Sequence, residues 1–131
     1  MSQENVEAHE HAIEAFKRRD LDTMVALAHE DVVVESRIAA MEGGYRGHAG
    51  VRRWWENLFE MFPDYDIEAV EVRDLGEVTL ARIRARGHGA GSAAPVEEVL
   101  WQIGRWRDGR YTWWRNCMSE EEALEAAGLS E

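Results

Sequence analysis

The sequence is poor in cysteine and in proline, has fewer basic than acidic residues, and has no long apolar run. Its single cysteine, Cys117, rules out an internal disulfide and is typical of a reducing compartment, so we expect a cytoplasmic protein. Two prolines among 131 residues, of which 45% are hydrophobic, favour a compact globule over a disordered chain. No apolar stretch reaches the roughly 20 residues that span a bilayer, and the first residues lack the basic start and apolar core of a signal peptide.

Acidic residues outnumber basic ones, with 26 aspartates and glutamates against 15 lysines and arginines and a formal net charge of −11. Nucleic acids and anionic membrane surfaces both require a basic footprint, so neither is an expected partner. No group of histidine, cysteine and carboxylate residues has the spacing of a metal site. We therefore expect neither a metal nor a cofactor.

The distribution of apolar residues predicts one domain over residues 1–131. Helical spacing predicts helices over residues 2–19 and 48–62, a short helix capped by Asp20, and a final short helix capped by Ser119. Alternating and β-branched stretches predict strands over residues 31–36, 65–75 and 78–87, followed by a hairpin over residues 96–118. This order predicts an α+β fold in which three helices from the N-terminal half cover one face of a curved, mainly antiparallel sheet.

The hairpin is marked by Asp108-Gly109, because a two-residue type I′ turn needs two residues that tolerate positive φ. With this pair as the loop, the predicted register opposes Ile103 to Trp114 and Trp101 to Asn116. Alternation then divides the side chains between two faces, both largely apolar. The predicted inner face carries Val99, Trp101, Ile103, Thr112, Trp114, Asn116 and Met118. The predicted outer face carries Leu100, Gln102, Trp106, Tyr111, Trp113, Arg115 and Cys117.

The predicted inner face favours a ligand pocket, since binding sites combine apolar walls with a few polar groups that orient the ligand. Asn116 and Ser36 would be these polar groups, and indole rings would form much of the wall. The expected ligand is a small hydrophobic molecule. An alternative is a cone filled solid by the six tryptophans, which would leave a dimerisation or adaptor module. The predicted lining is Val34, Ser36, Trp54, Ile83, Ala85, Val99, Trp101, Ile103, Trp114, Asn116 and Met118.

The predicted outer face favours a protein partner. A large apolar surface on a globular domain marks an interface, and a symmetric homodimer is its commonest use. We expect the dimer interface to consist of Leu100, Gln102, Trp106, Tyr111, Trp113 and Arg115.

Five stretches of the chain form a series that covers nearly its whole length. They are Arg-Arg-Asp-Leu-Asp at residues 18–22, Glu-Asp-Val-Val-Val-Glu at 30–35, Tyr-Arg-Gly-His-Ala-Gly-Val-Arg at 45–52, Arg-Asp-Gly-Arg at 107–110 and Glu-Glu-Ala-Leu-Glu-Ala-Ala-Gly-Leu at 121–129. In order and spacing they resemble SnoaL-like members of the nuclear-transport-factor-2-like superfamily. The resemblance implies a cone-shaped α+β barrel with a deep pocket, often dimeric through the outer sheet face. The superfamily includes ketosteroid isomerases, polyketide cyclases, epoxide hydrolases, ligand binders and adaptors, so the fold leaves the chemistry open.

The resemblance also implies three positions for the catalytic groups of the isomerases. The general base of that family, an aspartate, matches Ser36 here, and its two oxyanion donors match positions near Ala12 and at Trp101. A serine hydroxyl does not take a carbon-bound proton without another base, and neither alanine nor indole replaces an acidic donor. Steroid isomerisation by that mechanism is therefore not expected.

Other acid–base chemistry stays open as an alternative, as in a polyketide cyclase or another isomerase. The candidate groups are Glu35, Arg37, Glu97, His88 and Asn116. An inward carboxylate or histidine with a displaced pKa would favour such an enzyme over a binder. The pattern places Glu35 towards solvent, His88 in a glycine-rich loop and Cys117 in a packing role, and it indicates that His9 and His11 do not share a helix face.

Overall fold

The computed structural model describes residues 2–35, 44–91 and 94–129, which form four helices and six strands. The N-terminal half contains α1 (Ser2–Lys17), α2 (Leu21–Ala26), β1 (Ala28–Glu35), β2 (Tyr45–Arg46) and α3 (Gly47–Met61). The C-terminal half contains β3 (Asp66–Asp74), β4 (Val78–His88), β5 (Pro95–Arg107), β6 (Arg110–Cys117) and α4 (Glu120–Ala126).

The helix ends follow local capping rules. The Asp20 side chain accepts a hydrogen bond from the backbone N–H of Thr23 at 3.1 Å, which caps α2. The Ser119 hydroxyl accepts one from the backbone N–H of Glu122 at 3.1 Å, which caps α4. Both predicted caps are confirmed. No helix of the described ranges is long and apolar enough to cross a membrane.

The six strands form one curved sheet in the order β2-β1-β6-β5-β4-β3, and this sheet is not closed. The β1–β6 pair is parallel, and the other pairs are antiparallel. Helices α1, α2 and α3 contribute buried side chains to the core on one side of the sheet, which we call the inner face. The predicted α+β class and the cover of three helices are confirmed.

The hairpin turn has the predicted geometry, but the strands leave it in a different register. Asp108 and Gly109 have φ values of 53° and 80°, and Arg107 pairs with Arg110 as predicted. One residue pair further from the turn, the register shifts between Arg105 and Trp106. Strand β6 contains one extra residue there, Thr112, which forms a β-bulge.

This bulge makes two predicted pairings wrong. Ile103 faces Arg115 instead of Trp114, and Trp101 faces Cys117 instead of Asn116. Because side chains alternate with a period of two, a shift of one residue moves a whole strand face to the other side of the sheet. Strand β5 therefore presents the opposite set of side chains to the one predicted, whereas Trp114 lies on the inner face as expected.

The outer face carries a second, smaller core covered by α4. Val78, Leu80, Ile103 and Cys117 of the sheet pack with Ala123 of this helix. Two ion pairs hold the same helix at its edges, Arg73 with Glu120 at 3.1 Å and Arg115 with Glu122 at 3.5 Å. The central outer face is thus buried by the chain itself.

Candidate functional site

The inner face of β5 and β6 lies between two helices. Helix α1 packs over β3 and β4, and helix α3 packs over β1 and β2, while neither has extensive backbone contact with β5 or β6. Side chains alone fill or line this central strip. We therefore take this strip as the candidate functional site.

A polar cluster lies in this strip, and we call it the inner cluster. Its members share a position on the inner side of the sheet or on the buried side of α1. They are His9, Thr79, Gln102, Trp106, Trp114 and Asn116.

His9 is at the centre of the inner cluster and is fully buried. Its Nδ1 atom lies 2.7 Å from the Thr79 Oγ1 atom, and its Nε2 atom lies 3.3 Å from the Gln102 Oε1 atom. The imidazole packs against the Trp114 and Trp106 rings, with centroids 4.9 Å and 5.9 Å away. The side chain therefore ties α1 to both β4 and β5.

The hydrogen-bond partners assign a tautomer to His9. The Trp106 indole N–H donates to Thr79 Oγ1 at 2.7 Å, which leaves the threonine proton free to be donated to His9 Nδ1. The proton of the imidazole is then on Nε2 and is donated to Gln102 Oε1. Burial lowers the pKa of His9 from 6.5 to about 4, against a smaller opposing effect of the Gln102 hydrogen bond. His9 is consequently neutral at pH 7.

Two buried polar atoms of the inner cluster have no hydrogen-bond partner among the described residues. They are the indole nitrogen of Trp114 and the side-chain oxygen of Asn116. Trp114 is only 4% exposed. Since most buried polar side-chain atoms in proteins are hydrogen-bonded, a donor and an acceptor left open here point to a partner that the described residues do not supply.

The structure brings most of the predicted pocket walls together. Val34, Trp54, Ile83, Ala85 and Trp114 are buried in one cluster on the inner face. Asn116 is cross-strand partner to Gln102 on the same face. Ser36, and with it Arg37, lies outside the described residues.

Four predicted pocket residues do not join this set. Trp101 and Ile103 lie on the outer face because of the bulge. Val99, opposite Arg84, is 46% exposed, and Met118 is 49% exposed. Trp101 therefore also lies away from the place where an isomerase-type donor would act. Ala12, the other matched position, is buried in the inner core and has no polar group.

The same register shift makes most of the predicted dimer interface wrong. Leu100, Gln102, Trp106 and Tyr111 are buried inside the chain, at 6% exposure or less, and are not available to a partner subunit. The outward position of the remaining two residues, Trp113 and Arg115, is as predicted.

The outer-face residues of β6 are held by the chain itself. The Trp113 indole donates to Glu35 Oε1 at 3.0 Å, and Arg115 forms ion pairs with Glu35 and Glu122. Glu35 thus faces outward, as predicted, but as part of a small ion-pair group. Burial beneath α4 raises the pKa of the Cys117 thiol, which suits a packing role and not a nucleophile.

The other acid–base candidates lie apart from the inner cluster. Glu97 is opposite Arg86 on the outer side of β4 and β5. His88 forms a 2.6 Å contact between its Nδ1 atom and Asp64 Oδ2, and its backbone N–H also donates to Asp64 at 2.7 Å. These bonds lower the pKa of Asp64. In the described part of the chain, no three histidine, cysteine or carboxylate groups are close enough to hold a metal.

Sequence reasoning missed His9 and Gln102. The separation of His9 from His11 excluded a shared face, but His9 also precedes Ala12, Ile13 and Phe16 by three, four and seven residues, which is the buried stripe of α1. This spacing was a usable signal for a buried histidine. Gln102 was placed on the wrong face by the undetected bulge.

Comparisons with known proteins agree with this architecture. The chain is similar in structure to a nuclear-transport-factor-2-like protein of unknown function from Burkholderia pseudomallei, with a TM-score of 0.79 and 18% identity over 93% of this chain and 95% of that one. It is similar to TerC, co-crystallised with polyporic acid, with a TM-score of 0.77 and 16% identity over 96% and 97% of the two chains. It is also similar to an LEH-like epoxide hydrolase from Mycobacterium tuberculosis, with a TM-score of 0.70 and 21% identity over 95% of this chain and 89% of that one.

Sequence comparison with curated proteins finds no match. The model of the SnoaL-like domain family matches residues 9–114, which include the inner cluster as far as Trp114. Since this match covers most of the chain, the protein belongs to the SnoaL-like domain family, and it has the fold of a nuclear-transport-factor-2-like protein.

Proposed function

We propose that the chain binds a small hydrophobic molecule between α1, α3 and the inner face of β5 and β6. The observation that carries the proposal is the pair of buried, unpartnered polar atoms on Trp114 and Asn116. A ligand with a matching polar group would satisfy both atoms while its frame displaces water from apolar walls.

The buried cluster that contains Trp114 is rich in apolar and aromatic side chains, which suits an apolar, flat ligand. Phe16 of α1 and Trp54 of α3 contact each other with ring centroids 6.1 Å apart, and Ile83 and Leu100 belong to the same cluster. Each 100 Å² of apolar ligand surface removed from water contributes about 2.5 kcal/mol before the costs of association. One structural neighbour, TerC, was crystallised with polyporic acid, which supports binding as a use of this fold.

An acid–base enzyme is the second candidate, and His9 favours it. It is an inward histidine with a strongly lowered pKa, which is the feature expected of an enzyme. However, both of its ring nitrogens are already within hydrogen-bond distance of Thr79 and Gln102. Proton transfer to a substrate would require one of these contacts to break, so we favour binding, with His9 as the group that orients Gln102.

A fluorescence titration tests the binding proposal. N-phenyl-1-naphthylamine, a neutral and flat probe, should show saturable fluorescence enhancement with the protein. Trp54→Phe should weaken this binding about threefold or more, because it removes part of an inner wall. Trp101→Phe is the matched control on the outer face and should leave the dissociation constant unchanged. Absence of saturable enhancement, or an equal effect of both variants, would refute the proposed location and favour a filled core.

We also propose a homodimer, on a part of the outer face that α4 leaves uncovered. Arg84 and Arg86 of β4 are exposed there, beside Glu68 and Asp66 of β3 and the exposed Val99 of β5. Adjacent rows of opposite charge allow a second copy, turned by a two-fold rotation, to place its acidic row on these arginines. Sedimentation velocity should show a dimer at low salt and dissociation with Arg84→Glu, whereas a monomer at all concentrations would refute this assembly.

A further inference from the structure

We infer that the molecule held in the inner strip carries an uncharged hydroxyl group on a flat apolar frame, an inference that rests on the proposed function. The evidence is the chemical type of the two open atoms and the charges around them. The hydroxyl is expected at the β6 side of the strip, where Trp114 and Asn116 lie on the same strand face.

The two unpartnered atoms need ligand groups with opposite hydrogen-bonding roles. The Trp114 indole nitrogen can only donate, and the Asn116 side-chain oxygen can only accept. An ether or ketone on the ligand would satisfy Trp114 and leave Asn116 open, and an ammonium group would do the reverse. A hydroxyl group can both donate and accept, which makes it the simplest group that matches the two atoms chemically.

The charges of the described residues disfavour an anionic group at the same place. The strand arginines at positions 82, 84, 86, 105 and 115 alternate onto the outer face, away from the inner cluster. His9, the buried base of the cluster, is neutral because burial lowers its pKa to about 4. A carboxylate would therefore lose its hydration without gaining a cation, which is a large cost in an apolar site.

The aromatic content of the strip selects a flat frame. Trp106, Tyr111 and Trp114 form a continuous series, with ring centroids 5.8 Å and 5.3 Å apart. Aromatic rings favour offset or edge contacts with other rings. The ligand class is thus a neutral aromatic or other planar alcohol, of which a phenol is the smallest example.

Four naphthalenes separate these chemistries by isothermal titration calorimetry at pH 7. The probes are 2-naphthol, with donor and acceptor; 2-methoxynaphthalene, with an acceptor only; naphthalene, with neither; and 2-naphthoate, which is an anion. We expect 2-naphthol to bind about tenfold more tightly than naphthalene, because it gains hydrogen bonds to two buried atoms that naphthalene leaves unpaired. The methoxy compound should be intermediate, and the naphthoate should bind most weakly.

Matched variants locate the effect. Trp114→Phe and Asn116→Leu should each reduce the advantage of 2-naphthol over naphthalene to about threefold. Trp113→Phe, which changes the neighbouring indole on the outer face, is the control and should leave that ratio unchanged. In NMR spectra, the indole N–H signal that is missing in Trp114→Phe should move on addition of 2-naphthol and move much less with naphthalene.

The possible results distinguish failure of the binding function from failure of the hydroxyl inference. If no probe binds, the proposed function fails and the inference fails with it. If all neutral probes bind equally, or if 2-naphthoate binds most tightly, the binding function stands and the hydroxyl inference is overturned. The comparison of probes on the unaltered protein needs no variant, so a variant that does not fold leaves the test intact.

Discussion

His9 Nδ1 on helix α1 lies 2.7 Å from Thr79 Oγ1 on strand β4, in a fully buried contact between residues 70 positions apart. The same imidazole reaches Gln102 on β5 with its other nitrogen. One side chain thereby links the first helix to two adjacent strands beside the proposed ligand site. Both the stability of the domain and the shape of the site should depend on it.

Replacement of His9 by alanine should lower the free energy of unfolding by about 2–4 kcal/mol. The change leaves a cavity and removes the hydrogen-bond partners of two buried polar groups, Thr79 and Gln102. Urea denaturation followed by far-ultraviolet circular dichroism measures this effect. His11→Ala, at an exposed position of the same helix, is the control and should cost less than about 0.5 kcal/mol. Equal effects of the two changes would contradict the assigned role.

The lowered pKa of His9 should make stability depend on pH in one direction. Folding favours the neutral imidazole of His9, so its contribution to stability is complete above pH 6.5. It is lost as the pH falls from 6.5 towards 4, because in this range the imidazole is protonated in the unfolded chain but largely neutral in the folded one. The loss should be on the order of 3 kcal/mol. The denaturant midpoint of the unaltered protein should therefore fall more between pH 7 and pH 4.5 than the midpoint of His9→Gln. The carboxylates titrate in both proteins, so their effect cancels in the comparison. Parallel pH profiles of the two midpoints would contradict the prediction.

The β5–β6 turn should be sensitive to any side chain at Gly109. This residue has a φ of 80°, which glycine adopts at no steric cost, whereas other residues lose roughly 1–2 kcal/mol in the left-handed region. Gly109→Ala should lower the thermal midpoint accordingly, although a Cβ atom there meets open space. Gly91→Ala, which also meets open space but lacks a positive φ, is the matched control. A similar shift in both variants would argue against a conformational cause.

Cys117 should react slowly with a thiol reagent as long as α4 covers the outer core. The thiol is fully buried, and burial raises its pKa, so the native protein should react at least about 100-fold more slowly than the unfolded chain. Ala123→Glu places a charge in the contact between α4 and the sheet and should accelerate the reaction with Ellman's reagent. Glu125→Gln, on the exposed side of the same helix, should not. Fast reaction of the unaltered protein would show that α4 does not protect this face.

Local chemistry made much of the fold predictable. Asp20 and Ser119 cap their helices, and Asp108-Gly109 forms the expected turn, because each effect depends on a few neighbouring residues. The period of apolar residues likewise placed Val34, Ile83 and Ala85 on the inner face without knowledge of their partners. The caps, the turn and these inner-face positions can therefore be predicted from the sequence alone.

The candidate site depended on contacts that a local pattern does not contain. The bulge at Thr112 leaves no signal in the strand propensities of the neighbouring residues. It nevertheless exchanges the two faces of β5, so that Gln102 lies on the inner face and Trp101 on the outer face. The cover of the outer sheet by α4 is equally non-local, since it joins the end of the chain to strands β4 and β5.

The sequence by itself thus determined the class of fold, the helix caps and the hairpin turn, because these follow from the conformational preferences of adjacent residues. Only the tertiary structure decided which side chains meet: His9 with Thr79 and Gln102, Cys117 with Ala123, and Trp114 beside Asn116 with open hydrogen-bonding atoms. The physical reason is that strand faces are set by register, and register depends on the balance of packing on both sides of the sheet.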